Sequence, residues 1–124
     1  MNTHRARTLR ILFSTTIASV FVVALPAAPA NAGAGECSTG AFCVWTGTHF
    51  TGRIQEMTTT NAYRSISLGT TRSYYNNRSK RTWLHSRPNG DGSTVCINPG
   101  ASNGSTSGWQ QTAKAAFLAA VVSC

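Results

Sequence analysis

The chain has 124 residues, with 11 Lys and Arg against 3 Asp and Glu and a formal net charge of +8. That length allows one small domain and little more. Three carboxylates, none paired at a spacing suited to acid–base work, argue against a hydrolase.

The first 32 residues read as an address. Arg5, Arg7 and Arg10 form a basic start, Ile11 to Leu25 is apolar and uncharged, and Ala30-Asn31-Ala32 is a small-x-small cleavage site. The apolar run of about 15 residues falls short of the ~20 that span a bilayer, so a signal peptide is expected over 1–32 instead of an anchor. Cleavage is placed after Ala32, with Ala30 and Ala34 as neighbouring alternatives. The remaining 33–124 form a single domain with eight basic and three acidic residues, net +5. Nucleic acid is a poor partner for an exported chain. A moderately cationic surface suits solubility first, and an anionic cell surface or acidic protein second.

All four cysteines lie in this exported part: Cys37, Cys43, Cys96 and Cys124. An even count in an oxidising compartment reads as a disulfide framework with three connectivities open. Cys37–Cys43 with Cys96–Cys124 is favoured, because the five-residue spacer closes easily and leaves the other pair to staple the C-terminus. A zinc site at Cys37, Cys43 and His49 is the alternative, but the spacing lacks the short Cys-x-x-Cys knuckle. No metal and no cofactor are expected.

The elements that follow are short strands. Trp45, Phe50 and Gly52 suit a folded-over hairpin, with two rings across a tight corner and a glycine where a Cβ would collide. Arg53–Met57 alternates as the returning strand, and Tyr63, Ser65, Ile66 and Leu68 alternate again before Gly69. Tyr74 and Tyr75 favour a strand, and Asn76-Asn77 a turn. Thr82–His85 is a strand ended by the emphatic turn Arg87-Pro88-Asn89-Gly90-Asp91-Gly92. Val95–Ile97 is a strand core stopped by Asn98-Pro99-Gly100, and Ala101–Gly108 reads as loop. The Ala-rich tail, Thr112–Cys124, has helix propensity but is assigned to strand, since the chain supplies strands at sandwich-like spacing.

The pattern Cys37-x5-Cys43-x-Trp45-x4-Phe50-x-Gly52, followed by Arg72-Ser73-Tyr74-Tyr75-Asn76 and more weakly by Pro99-Gly100-Ala101, resembles peptidase inhibitor family I36, the bacterial family of the Streptomyces metalloproteinase inhibitor. The likeness runs over roughly Cys37 to Ser105. It implies an all-β, βγ-crystallin-like Greek-key sandwich, with Trp45 and Phe50 at the hairpin corner and Ser73 pinning it. Two departures stand out. Asn76-Asn77-Arg78-Ser79-Lys80-Arg81 begins like a crystallin calcium motif but carries Lys80 and Arg81 where hydroxyls belong, so no tight calcium site is expected. The C-terminal cysteine pair also differs in spacing from that of the type inhibitor.

The function implied is inhibition of an extracellular metallo- or serine peptidase by a rigid, disulfide-anchored segment, with no enzymatic activity of its own. The candidate segment is Thr94, Val95, Cys96 and Ile97, bounded by Gly92 and Pro99; burial of Val95 and Ile97 in a strand is the competing reading. There is no Gly-x-Ser-x-Gly elbow, and His49 and His85 are both expected at the surface. The alternative function is a cationic killer-toxin or antimicrobial domain. It would use Arg72, Arg78, Lys80, Arg81 and Arg87, interleaved with Tyr74, Tyr75 and Trp83, against an anionic surface. Nothing in the sequence points to an oligomer, so a monomer is expected.

Overall fold

Short strands with one apolar face cannot stand alone; they are buried by laying sheet on sheet. The computed structural model describes residues 33–124, and the expected signal peptide lies outside them. It contains eight strands: β1 (Phe42–Trp45), β2 (Ile54–Met57), β3 (Ala62–Ser65), β4 (Ser73–Asn76), β5 (Thr82–His85), β6 (Thr94–Ile97), β7 (Ser102–Asn103) and β8 (Ala115–Leu118). They form two four-stranded sheets, sheet A in the order β2-β1-β4-β7 and sheet B in the order β3-β8-β5-β6. Every pairing is antiparallel. Among the described residues, no helix is long and apolar enough to cross a membrane.

The two halves of the chain are built alike and exchange one strand each. A hairpin (β1–β2, then β5–β6) is followed by a strand that crosses to the other sheet (β3, then β7). A fourth strand then returns beside the first (β4 on β1, β8 on β5). The hairpin turns match in detail, forty residues apart. Thr46 N–H bonds Arg53 O at 3.0 Å and Ser86 N–H bonds Ser93 O at 2.9 Å. The Thr46 and Ser86 hydroxyls accept from Arg53 N–H and Ser93 N–H, each at 2.9 Å.

The main core lies between the sheets. Phe42 and Val44 of β1, Tyr74 of β4, Leu84 of β5, Ile97 of β6 and Leu118 of β8 all contribute to it. A second, smaller cluster sits on the outside of sheet A. There the segment before β1 folds back, and Cys37 and Ala41 join Cys43 and Trp45.

The structure refines three sequence-based expectations. A two-residue strand, β7, lies within the polar stretch Ala101–Gly108, because Tyr74 and Tyr75 supply its ladder partners. The Ala-rich tail contributes only Ala115–Leu118, a central strand of sheet B in which small side chains fit between β3 and β5. His85, expected at the surface, is 5% exposed, because the 86–92 hairpin folds back over the end of β5.

Candidate functional site

Two regions carry the features singled out in the sequence: the hairpin corner on sheet A and the outer strand of sheet B.

At the corner, Trp45 is fully buried and meets Phe50 edge to face at 5.2 Å. The chain turns through His49 (φ 54°) and Phe50 (φ 60°), a left-handed conformation that L side chains resist. Ser73 holds it there. Its hydroxyl accepts from Phe50 N–H at 3.0 Å and donates to Gly47 O at 2.7 Å. Gly52 completes the turn at φ 80°, where an added Cβ would lie 2.3 Å from the Thr46 hydroxyl. The His49 ring is exposed. In the second half, Asn89 (φ 63°) and Gly90 (φ 85°) take the left-handed positions. Ala115 stands opposite His85 where Ser73 stands opposite Trp45. Glycine needs no pin, and the Tyr63 ring fills the space above it, 5.3 Å from the ring of His85.

Burial lowers the pKa of His85, partly offset by the Gly90 main chain. Both ring nitrogens are buried without a well-formed hydrogen bond, so the neutral ring is favoured. The sequence signal for this burial was the repeat of Thr46 and Gly52 as Ser86 and Gly92, which places His85 at Trp45's position.

Arg78 also differs from expectation. It is 5% exposed and is therefore removed from the cationic surface cluster. Its guanidinium donates to Arg81 O at 2.9 Å, Thr82 Oγ1 at 3.0 Å and Ala119 O at 2.8 Å. Beside it the Asn76 amide donates to the carbonyls of Lys80, Ile97 and Asn98 at 2.9, 3.0 and 3.2 Å. The oxygens of this turn thus already face side-chain donors, one of them cationic, which opposes capture of a hard metal ion.

The outer strand of sheet B is β6, which pairs with β5 alone. Cys96 is bridged to Cys124 across 28 residues, and Cys37 to Cys43 across 6. The second bridge removes the thiolates that a zinc site at Cys37, Cys43 and His49 would need. Ile97 is buried and Val95 packs against the core, whereas Thr94 is exposed and Cys96 half-buried. The backbone alternates too. His85 O accepts from Lys114 N–H at 3.0 Å, toward β8, so Thr94, the cross-strand partner of His85, directs its N–H and C=O away from β5. Cys96, two residues on, does the same. The strand therefore offers main-chain groups and the Thr94 side chain, while Val95 and Ile97 serve the core.

An open groove of about 310 Å³ separates the edges of the two sheets, lined by residues of β2 and β3 that include Glu56 and Arg64. Glu56 accepts from Ser38 N–H at 2.7 Å, so this carboxylate is engaged in holding the N-terminal arm. Every cysteine is bridged. The described residues thus form a β domain tied by two disulfides, with β6 at the edge of its sheet. The model of peptidase inhibitor family I36 matches residues 30–97, which cover β1 to β6. The chain belongs to that family and is a peptidase inhibitor, not an enzyme. Comparison with curated proteins and with solved structures returns no match.

Proposed function

We propose that this inhibitor is secreted as residues 33–124 after loss of the 1–32 leader, and that it blocks an extracellular peptidase with β6. The carrying observation is the position of Thr94–Ile97: extended, outermost in its sheet, backed by β5 and anchored by the Cys96–Cys124 bridge. A strand already held in the conformation that peptidase clefts bind loses little entropy on docking, and its outward N–H and C=O groups can add it to the cleft as a further strand. The bridge also ties the two fragments together if the segment is nicked after Cys96. Exchange of the third strands between two similar halves supports reading the domain as βγ-crystallin-like.

The test is a titration of metallo- and serine endopeptidases with the oxidised protein at low and high salt, beside Thr94→Pro. Proline at this position removes an outward N–H and leaves the ladder to β5 intact. Stoichiometric, salt-insensitive inhibition that T94P weakens by at least roughly tenfold is expected, as for the loss of a central main-chain contact. Inhibition unaffected by T94P would move the blocking segment elsewhere. Steeply salt-dependent binding to anionic vesicles, with no peptidase inhibited, would favour the cationic-toxin reading.

A further inference from the structure

The outer faces of the two sheets are finished differently. On sheet A, Cys43 and its neighbour Tyr75 on β4 are covered by the arm that carries Cys37 and Ala41. Sheet B has no such cover. Trp83 stands where the repeat places Cys43. Phe117 is its partner on β8, as Tyr75 is the partner of Cys43 on β4. Tyr63 of β3 continues the row, opposite Phe117 and with ring centroids 4.7 Å apart. Three adjacent strands thus carry one aromatic each on the same face. Tyr63 is 48% exposed, and Phe117 and Trp83 are half-buried.

The chain after β8 does not close over this row. Arg81 N–H bonds Val121 O at 3.0 Å and Cys124 is tied to Cys96, yet Val121 and Val122 remain 49% and 60% exposed. An apolar row on one face, with two exposed valines in the segment that runs from beside Arg81 to the bridge at Cys96, marks a contact surface.

The rim indicates the kind of partner. The Arg81 guanidinium lies 5.6 Å from the Trp83 ring centroid, Arg87 is exposed beyond β5, and Lys114 is exposed just before β8. After Glu56 the only Asp or Glu side chain is Asp91, in the turn beside Arg87. A second copy would set cationic rim against cationic rim, whereas a partner with acidic residues around an apolar patch is complementary. The face also continues into β6: Cys96 is the cross-strand neighbour of Trp83, and its bridge lies at the end of the aromatic row.

We propose that this face is a second contact surface for the target peptidase, docking on an apolar, acid-rimmed patch beside the cleft that β6 enters. The inference rests on the inhibitor reading above and adds to it where selectivity among peptidases resides. The strand's main chain is common currency for many clefts, and the aromatic face meets surface that differs between them.

The experiment uses protein recovered oxidised from an exporting host, with Val121→Asp/Val122→Asp and Arg87→Gln variants. Both valines are exposed, so the fold tolerates the change, and thermal unfolding checks this. Inhibition constants are measured against a thermolysin-type and a subtilisin-type endopeptidase at low and high salt. For the sensitive enzyme, V121D/V122D should raise the constant roughly tenfold or more, by placing charge of the wrong sign in an apolar contact. R87Q should slow association by a few-fold at low salt, an effect absent at high salt. An unchanged constant for V121D/V122D, with T94P still disabling, overturns this proposal and leaves the inhibitor reading standing. Failure of the parent protein to inhibit either enzyme counts against both. A salt-resistant dimer in sedimentation that V121D/V122D dissolves assigns the face to a second copy instead.

Discussion

Replacing Ser73 by alanine deletes one oxygen from a fully buried position and breaks two hydrogen bonds, to Phe50 N–H at 3.0 Å and Gly47 O at 2.7 Å. Each is partly shielded from water, so the pair contributes about 2–3 kcal/mol. The loss is not the whole effect. His49 and Phe50 are held at φ 54° and 60°, and relaxing them returns on the order of 1 kcal/mol once the pin is gone. The net destabilisation expected is about 1–2 kcal/mol, which in a domain of this size lowers Tm by roughly 4–16 °C. Thermal and urea unfolding of the oxidised proteins measure it directly. The Trp45–Phe50 contact gives a local readout, since loosening the corner should change the tryptophan near-UV signal before global unfolding. A Ser73→Ala loss under about 0.5 kcal/mol, the scale of an ordinary surface substitution, would refute the idea that one hydroxyl holds the corner.

Three further outcomes follow from the same structure. His85 has its pKa lowered in the folded state, so the unfolded chain binds the proton more readily. Stability should therefore be full above pH ~6.5 and decline as the pH falls through that value toward the lower folded pKa, and His85→Leu should flatten this slope in denaturation at stepped pH. Arg78→Met removes the donor to Arg81 O, Thr82 Oγ1 and Ala119 O and should cost about 3 kcal/mol, with Arg78→Lys recovering little because an ammonium lacks the planar fork. Cys96→Ala/Cys124→Ala opens a loop of 28 residues, worth about 3–4 kcal/mol of unfolded-state entropy, and should raise protease sensitivity of the tail, read by limited digestion.

Much of the strand pattern is legible in the residues themselves. Alternation and turn signals place β2, β4, β5 and β6 to within a residue or two: β2 follows Gly52, Asn76-Asn77 ends β4, the Arg87–Gly92 turn follows β5, and Asn98-Pro99-Gly100 stops β6. Which strand pairs with which is a different matter. Alternation states that Tyr63 and Arg64 face opposite ways but not that β3 leaves its own hairpin for the other sheet; that depends on contacts more than 40 residues distant. His85 illustrates the cost of local reading. Beside Arg87 and an emphatic turn it looks exposed, yet the turn folds back and covers it. Arg78 likewise reads as surface charge, although the three oxygens it satisfies come from segments as far apart as Arg81 and Ala119. For the proposed inhibitory segment, composition identifies an anchored strand but not its edge position, which is a property of the sheet order alone.

The strand exchange also governs how the molecule is assembled. β8 lies between β3 and β5, so sheet B has no centre until residues 115–118 are available. A chain that has produced everything up to β6 holds β3 as a lone strand and β5–β6 as an isolated hairpin, both marginal in water. Nor is sheet A complete without β7, from the second half. Folding is therefore a single late event of high contact order, and the slow step is closure of long loops, not formation of either half. Neither half can be cut away and kept as a smaller inhibitor: β6, the strand proposed to block a peptidase, is backed by β5 only once β8 has completed the sheet behind it.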